Sequence, residues 1–488
     1  MLAGFCFPPL DLGLLIVVPL AALFWTWRDA RPLHAALYGF AFGAGAYGVV
    51  LEWVRYFGAV AIVPFVAAMA AAVALVGVIV AVFARRGIAS PLLTAAAWVA
   101  LEAVRGRAPL GGFAWADVGV ALHNFAPARA LASFGGVPLV SFVCVAAAGF
   151  LLDLMLAARV HERHALVLAS SGVAAVLVVT LLADVTRYEP QETGRLRVAI
   201  LQGDDQELSL AGQQQQLLTA NHLALADELE GDYDLIVFPE GALDTDPQLD
   251  PDLRARLTAI ARKHHASLLV NARTPAPRSG TEPAVGDGKD RNSNLMYEPT
   301  GKFQGIYSKQ HLVPFGEYVP WRGALGFIGE LRQIPYDFEP GDETVVFRAG
   351  KHKIGSVICF ESAFGPLVRD SVRTGAEAIV VSTNNRSYHR SGNSEQHLAN
   401  SQMRAAETAR PVLQASVSGI SAVIEPDGTV HDTTDLFEQA IVRSTIPTTT
   451  GETPYVRFGD WIVPLSALGL VAVTVVAIVW STRSRRSA

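Results

Sequence analysis

The sequence predicts a multi-span α-helical membrane domain joined to an α/β sandwich domain. Three observations carry this. Of 488 residues, 51% are hydrophobic and 17% charged, whereas an average soluble chain is about a quarter charged. The apolar excess is confined to the stretch up to Ala183 and to a second stretch after Pro454. Between them lies a polar region, punctuated by Pro and Gly, in which β-branched runs alternate with helical patterns and hairpins, as in a layered α/β domain. The expected boundaries are 1–187 for the first membrane part, 195–450 for the polar domain and 460–482 for a last helix.

A spanning helix needs about 20 apolar residues. The candidates are Asp11–Trp27, Leu33–Leu51, Ala59–Phe83, Ser90–Val104, Phe134–Ala157, Ala165–Ala183 and Trp461–Trp480, of which Ser90–Val104 is shortest. The first lacks a basic flank and a small-residue cleavage site, so it reads as a helix and not a signal peptide. Glu102 and Arg105 share one helical face with Trp98, and both are expected to snorkel from the outer end of a short helix. Gly111–Trp115 reads as an interfacial or re-entrant turn with an aromatic anchor.

If the loops alternate sides, Arg28, Arg31, Arg85, Arg86, Arg159, Arg163, Arg483, Arg485 and Arg486 share one side. Arg55, Arg105, Arg107 and Arg129 fall on the other. The richer set marks the cytoplasm, so the polar domain is expected outside it and the C-terminus inside. A net charge of −6, with no basic patch and no Gly-rich phosphate loop, gives no reason to expect nucleic acid. His264-His265 and His161/His164 lack zinc-site spacing and read as surface histidines, and no metal or cofactor is expected.

In the polar domain, Arg195–Gln202 reads as a strand, Gln213–Glu230 as a helix and Tyr233–Phe238 as a buried strand ending in Pro239-Glu240. A helix over Pro251–His264, a strand over Ala266–Asn271 and a Thr274–Arg291 loop follow. Ser293–Glu298 and Phe303–Ser308 form a hairpin that delivers Lys309. Glu343–Phe347 and Lys353–Cys359 form another, ending in Cys359. Then come a helix over Val368–Thr374, a strand over Ala376–Ser382, a helix over Ser394–Arg410, and strands at Val412–Val417 and Ser421–Ile424 before the Pro426-Asp427-Gly428 turn.

Cys359 is the sole cysteine of the polar region, since Cys6 and Cys144 lie in apolar stretches. A lone thiol is either a buried structural group or a nucleophile. Glu240, Lys309 and Cys359 each end a strand, where sites collect in open sheets. Thiol-based acyl transfer needs these three groups: an acid to take and return a proton, a cation that lowers the thiol pKa and meets the oxyanion, and the sulphur. No Gly-x-Ser-x-Gly elbow competes with them in the polar region.

The ordered trio Pro239-Glu240, Lys309 and Cys359-x-Glu361 resembles the nitrilase, or carbon–nitrogen hydrolase, superfamily. Tyr307-Ser-Lys309-Gln-His-Leu-Val-Pro-Phe-Gly-Glu317-Tyr-Val-Pro320 resembles the signature of the apolipoprotein N-acyltransferase family. So do Ile358–Ser362, Arg404–Pro411, Ser418–Val423 and, in the membrane part, Trp98, Glu102-x-x-Arg105-Gly106 and Gly112-Phe113-x-Trp115.

The resemblance implies a nitrilase-like αββα domain carried by a bacterial inner-membrane protein. It further implies that Cys359 takes an acyl chain from a phospholipid, typically phosphatidylethanolamine, as a thioester, and passes it to the α-amino group of an S-diacylglyceryl-cysteine on an apolipoprotein. Glu240 is then the base and Lys309 the oxyanion partner. Glu317 is a second acid or an ion-pair partner, and Glu361 an orienting or a catalytic neighbour. Two other outcomes stay open: a membrane-tethered amidase, in which water takes the acyl group, and a non-catalytic lipoprotein-binding scaffold.

Some positions depart from the family pattern. Phe360 stands where Tyr is usual, Asp204–Gln216 holds no aromatic residue, and Asn385-Arg386-Ser387-Tyr388 replaces an aromatic pair. Acceptor recognition is where these changes are expected to tell. The first of the usual eight spans has no counterpart before Phe7-Pro8-Pro9, so either the chain starts upstream of Met1 or this N-terminus faces outward.

Overall fold

The computed structural model describes residues 1–204, 211–276, 289–325 and 337–486, with 329 and 331. Two compact units emerge, one of Met1–Tyr188 with the chain from Thr453 onward, the other of Glu189–Glu452.

The first unit is helical: α1 (Val17–Trp27), α2 (Pro32–Val50), α3 (Ala59–Ala84), α4 (Pro91–Arg105), α5 (Ala126–Val160) and α6 (Arg163–Val185), with α12 (Pro454–Phe458) and α13 (Ile462–Arg486) returning after the second unit. Among the described residues, α2, α3, α5, α6 and α13 are long and apolar enough to cross a membrane. The protein is therefore a membrane protein. Two expected spans are shorter. The Asp11–Trp27 run begins with a 3-10 turn at Gly13–Ile16, so α1 has 11 residues. Helix α4 has 15, started by Pro91 and by Ser90, whose Oγ accepts from Leu93 N at 3.2 Å. Helix α5 starts eight residues before the expected Phe134 and breaks at Gly135 and Gly136, where Gly136 has φ 71°. A side chain would strain that backbone.

Glu102 and Arg105 do not snorkel. Both are buried, because the surroundings satisfy them. Glu102 Oε1 accepts from Trp98 Nε1 and Val118 N, each at 2.9 Å. Arg105 donates to Tyr47 Oη at 2.7 Å and pairs with Asp117. Trp115 is no interfacial anchor either: it is buried edge-on against Trp53.

The second unit runs β1 (Gln191–Gln202), α7 (Ala211–Asp227), β2 (Leu235–Val237), α8 (Pro251–Lys263), β3 (Ser267–Pro275), β4 (Asp290–Tyr297), β5 (Phe303–Ser308), α9 (Arg322–Leu325), β6 (Val346–Ala349), β7 (His352–Ile358), α10 (Gly365–Arg373), β8 (Ala378–Thr383), α11 (Asn393–Thr408), β9 (Val412–Ser416), β10 (Ala422–Ile424), β11 (Val430–His431) and β12 (Ala440–Thr450). They build two six-stranded sheets, ordered β12-β1-β2-β3-β4-β5 and β11-β10-β9-β8-β7-β6. Both have a parallel centre, β1-β2-β3 in one and β7-β8-β9 in the other. The sheets bury a shared layer: Val198, Ile200, Val237 and Met296 from one and Ile354, Ile358, Val380 and Leu413 from the other form one apolar core. A second core joins the outer face of the first sheet to α7 and α8 through Leu225, Leu229, Leu257 and Ile260. Helices α10 and α11 pack on the second sheet. The result is an αββα sandwich.

Sequence reasoning missed β12, which pairs antiparallel with β1 from Gln191↔Thr450 to Gln202↔Ala440. Pro447 interrupts its pattern, and an edge strand tolerates that proline because one side of its ladder is open. His264 is a further correction. It is buried, with Nδ1 2.8 Å from Gly231 O, whereas His265 is exposed. Much of the aromatic-free Asp204–Gln216 stretch, 205–210, lies outside the described residues.

Candidate active site

Three strands end at one place. Glu240 lies three residues beyond β2, Lys309 directly follows β5 and Cys359 directly follows β7. All three are buried. Glu240 and Lys309 are joined across the first sheet, where Lys309 Nζ lies 3.5 Å from Glu240 Oε1. Lys309 also pairs with Glu317 at 2.9 Å. Asn292, on β4, donates through Nδ2 to both acids, at 2.7 Å to Glu240 Oε1 and 3.0 Å to Glu317 Oε1. Glu317 Oε2 is further fixed by Val313 N at 2.8 Å. A buried and a half-buried carboxylate thus share one ammonium and one amide.

Burial alone would push the Lys309 ammonium down, but the Glu317 and Glu240 carboxylates hold it well above the usual lysine range. Lys309 acts on the Cys359 thiol in the expected direction but does not set the net shift. Burial, and then the Glu240 charge, push the thiol up to about 12, and the opposing pull of Lys309 does not offset them. A sulphur pushed in that direction needs a neighbouring base at the moment it reacts. Burial likewise pushes the Tyr388 hydroxyl up.

Cys359 has φ 54°, a left-handed backbone rarely adopted by residues with a Cβ. Such outliers cost on the order of 1–3 kcal/mol and survive where their surroundings enforce them. Glu361, fully buried in the same 3-10 turn, is one such enforcer. Its Oε1 accepts from Gln310 N at 2.7 Å and His311 N at 3.0 Å. Its Oε2 accepts from Ile358 N at 2.7 Å and Tyr307 Oη at 2.8 Å. One carboxylate therefore ties the chain after Lys309 to the strand end before Cys359. Burial raises the Glu361 pKa despite these donors. Phe360 packs against Phe364 and His311, with ring centroids 5.0 and 5.7 Å apart.

Sequence reasoning missed Asn292, Thr383 and His397. Asn292 stood one residue outside the expected strand. Thr383 Oγ1 reaches Cys359 Sγ at 3.5 Å, and His397 Nε2 reaches Cys359 O at 2.9 Å. No sequence signal pointed to His397, because the burial of helix α11, which also carries Ser394, Gln396, Asn400, Ser401, Gln402, Arg404 and Glu407, shows only in the fold. A buried polar helix must satisfy those groups internally.

Residues 1–150 match the apolipoprotein N-acyltransferase N-terminal domain family, and residues 197–455 match the carbon-nitrogen hydrolase family. The chain is 31% identical to the apolipoprotein N-acyltransferase of Geobacter metallireducens, covering 94% of this chain and 90% of that one. It is 31% identical to the enzyme of that name from Methylococcus capsulatus, covering 100% of this chain and 95% of that one. An amidase of solved structure from Nesterenkonia sp. is similar at 18% identity and a TM-score of 0.39, covering 56% of this chain and 95% of that one.

Proposed function

The chain belongs to the apolipoprotein N-acyltransferase family and is an acyltransferase, and from that premise we propose that it works through a thioester on Cys359. The acyl donor is a membrane phospholipid, phosphatidylethanolamine first among them. The acceptor is the α-amino group of an S-diacylglyceryl-cysteine on an apolipoprotein. The convergence of buried Glu240, Lys309 and Cys359 from the ends of β2, β5 and β7, drawn from both sheets, is the observation that carries this reading.

In the first half, Glu240 takes the thiol proton as sulphur attacks the sn-1 ester carbonyl. The negative charge that develops on the carbonyl oxygen meets the Lys309 ammonium. Collapse breaks the ester C–O bond, Glu240 returns the proton to the departing lysophospholipid oxygen, and the thioester remains. In the second half, the neutral amine attacks the thioester carbonyl and gives a proton to Glu240. Collapse then releases the amide and the Cys359 thiolate, which recovers that proton. Glu317 keeps Lys309 charged and in position, and Glu361 fixes the turn that carries sulphur.

The apolar helices suit such substrates, since each acyl CH₂ left in water costs about 0.8 kcal/mol. We further place the protein in the bacterial inner membrane; with α1 and α4 counted as crossings beside the five longer helices, the arginine asymmetry of the loops supports a sandwich unit outside the cytoplasm and a C-terminus inside.

Intact-mass spectrometry of wild type and Cys359→Ala after incubation with phospholipid tests the reading. The expected result is one added acyl mass on the wild type alone, discharged by a diacylglyceryl-cysteine peptide with formation of N-acylated product. Discharge by water only would replace the transferase with a hydrolase. Folded wild type that takes no acyl group from any phospholipid would favour a scaffold.

A further inference from the structure

The nucleophile rests on a second polar group, opposite Glu240 and Lys309 in sequence and unused by the chemistry above. His397, from α11, is buried, and its Nε2 lies 2.9 Å from the carbonyl oxygen of Cys359 itself. A carbonyl only accepts, so the ring proton sits on Nε2 and Nδ1 is left as an acceptor. Two donors face Nδ1: Thr383 Oγ1 at 3.1 Å and Asn385 Nδ2 at 3.2 Å. Asn385 Nδ2 has two protons. One goes to Asn393 Oδ1 at 2.8 Å, which leaves the other for His397.

With Nδ1 served by Asn385, the single Thr383 proton has two remaining acceptors. Asn385 Oδ1 lies at 2.7 Å and Cys359 Sγ at 3.5 Å. A thiol sulphur is a weak acceptor, and the amide oxygen wins. A thiolate is an anion, and hydrogen bonds to charged acceptors are about twice as strong as neutral ones. Thr383 ends β8, in parallel register with β7, where Ile358 pairs with Ser382, so its hydroxyl stands beside the sulphur by construction. Its backbone is locked into the sheet, and the hydroxyl needs only to rotate.

We propose that the Thr383 hydroxyl is a switched donor to the reacting sulphur. It serves Asn385 while Cys359 is a thiol and turns to Sγ whenever the thiolate forms, and His397 is the positioning residue that holds the nucleophile's carbonyl. The contribution falls twice in the cycle, when sulphur attacks the donor ester and when it departs from the thioester. The other titratable groups acting on the sulphur are Glu240, Lys309, Glu317 and Tyr388. Lys309 favours the anion while Glu240 and Glu317 oppose it, so a neutral donor at Sγ adds stabilisation without adding charge. The inference rests on Cys359 being the nucleophile.

The test is the rate of iodoacetamide alkylation of Cys359 against pH, on the full chain in detergent, for wild type, Thr383→Val, Thr383→Ala and Thr383→Ser. Melting curves accompany each variant and identify those that are folded. Loss of one hydrogen bond to a charged sulphur should slow alkylation about tenfold at every pH below the thiol's midpoint in the Val and Ala variants. Thr383→Ser should return the profile toward wild type. His397→Gln keeps an amide donor for the Cys359 carbonyl and should alkylate faster than His397→Ala. A folded Thr383→Val or Thr383→Ala variant with the wild-type profile overturns the proposal. Wild type that forms no acyl adduct with phospholipid defeats the thioester reading instead, so the two failures are told apart.

Discussion

Lys309 Nζ lies 2.9 Å from Glu317 and 3.5 Å from Glu240, so the buried cation is paired foremost with the acid that the proposed chemistry does not titrate. The distinction matters because a carboxylate fully committed to an ammonium is a poor base. Glu317 satisfies Lys309 and leaves Glu240 with capacity for the thiol proton. Glu317→Gln should therefore slow acyl-enzyme formation on the order of 10²-fold, since Glu240 becomes the only counter-charge and loses basicity. The same change strips one partner from a buried ion pair, for which a stability loss of about 3 kcal/mol is expected. Time-resolved intact mass and thermal melting read the two effects separately. Unchanged acylation in a folded Glu317→Gln variant would remove Glu317 from the supporting role.

Glu361 makes a different prediction, because all four of its hydrogen bonds are accepted. Glutamine has the same shape but replaces one oxygen with a donor, which would face N–H groups of Gln310 and His311 or of Ile358. Glu361→Gln should thus be nearly as damaging as Glu361→Ala, with at least about 2 kcal/mol lost and acylation reduced in step. Tyr307→Phe removes only one of the donors and should cost about 1 kcal/mol. Chemical denaturation of the three variants ranks them, and a mild Glu361→Gln would show that the carboxylate is not the clamp between the two segments.

The three proposed reacting groups were legible because each sits where a strand pattern stops, and strand patterns are local. β2, β5 and β7 lie within two or three residues of their expected limits. What stayed hidden depends on distant partners. Arg105 looked like a snorkelling residue because Tyr47 and Asp117, which satisfy it, lie outside its helix. β12 was hidden by Pro447, whose tolerance depends on being at an edge. The net rise of the thiol stayed hidden for the same reason: a nearby lysine is visible in sequence, while the extent of burial that outweighs it is not. His397 and Thr383 are 14 residues apart, but their meeting at Cys359 depends on α11 folding back across β8.

In the helical unit, the pair between buried Arg105 and half-buried Asp117 offers a test of what the ion pair contributes there. Arg105→Met takes the cation from half-buried Asp117 and removes the Tyr47 contact, and the expected loss is about 2–3 kcal/mol, less than for a fully buried pair because water still reaches the carboxylate. Combining it with Asp117→Asn should recover much of that loss. Thermal melting of the detergent-solubilised protein reads both. Equal melting of the double and the single variant would mean that Arg105 stabilises mainly through Tyr47 and its packing.

Two buried histidines give the sandwich unit a defined response to acid. His222 and His397 are each pushed by burial from 6.5 down to about 4. Their hydrogen bonds show why the neutral form is needed. His222 Nε2 accepts from Gly203 N at 3.1 Å while Nδ1 faces Leu218 O at 2.8 Å, and His397 Nδ1 faces the Asn385 amide. Protonation would set N–H against N–H at both. Folded pKa values below the unfolded one mean that the stability is present in full above about pH 6.5 and is lost as pH falls toward 4, because the unfolded chain binds the protons first. Each site is worth about 3 kcal/mol over that window. Melting temperature should therefore drop between pH 6.5 and 4.5, and the drop should be smaller in His222→Gln, whose side chain binds no proton. His397→Gln should behave alike while also altering Cys359 alkylation, which His222→Gln should leave untouched. Parallel melting curves for wild type and both variants across this range would show that carboxylates, and not these histidines, govern the acid response.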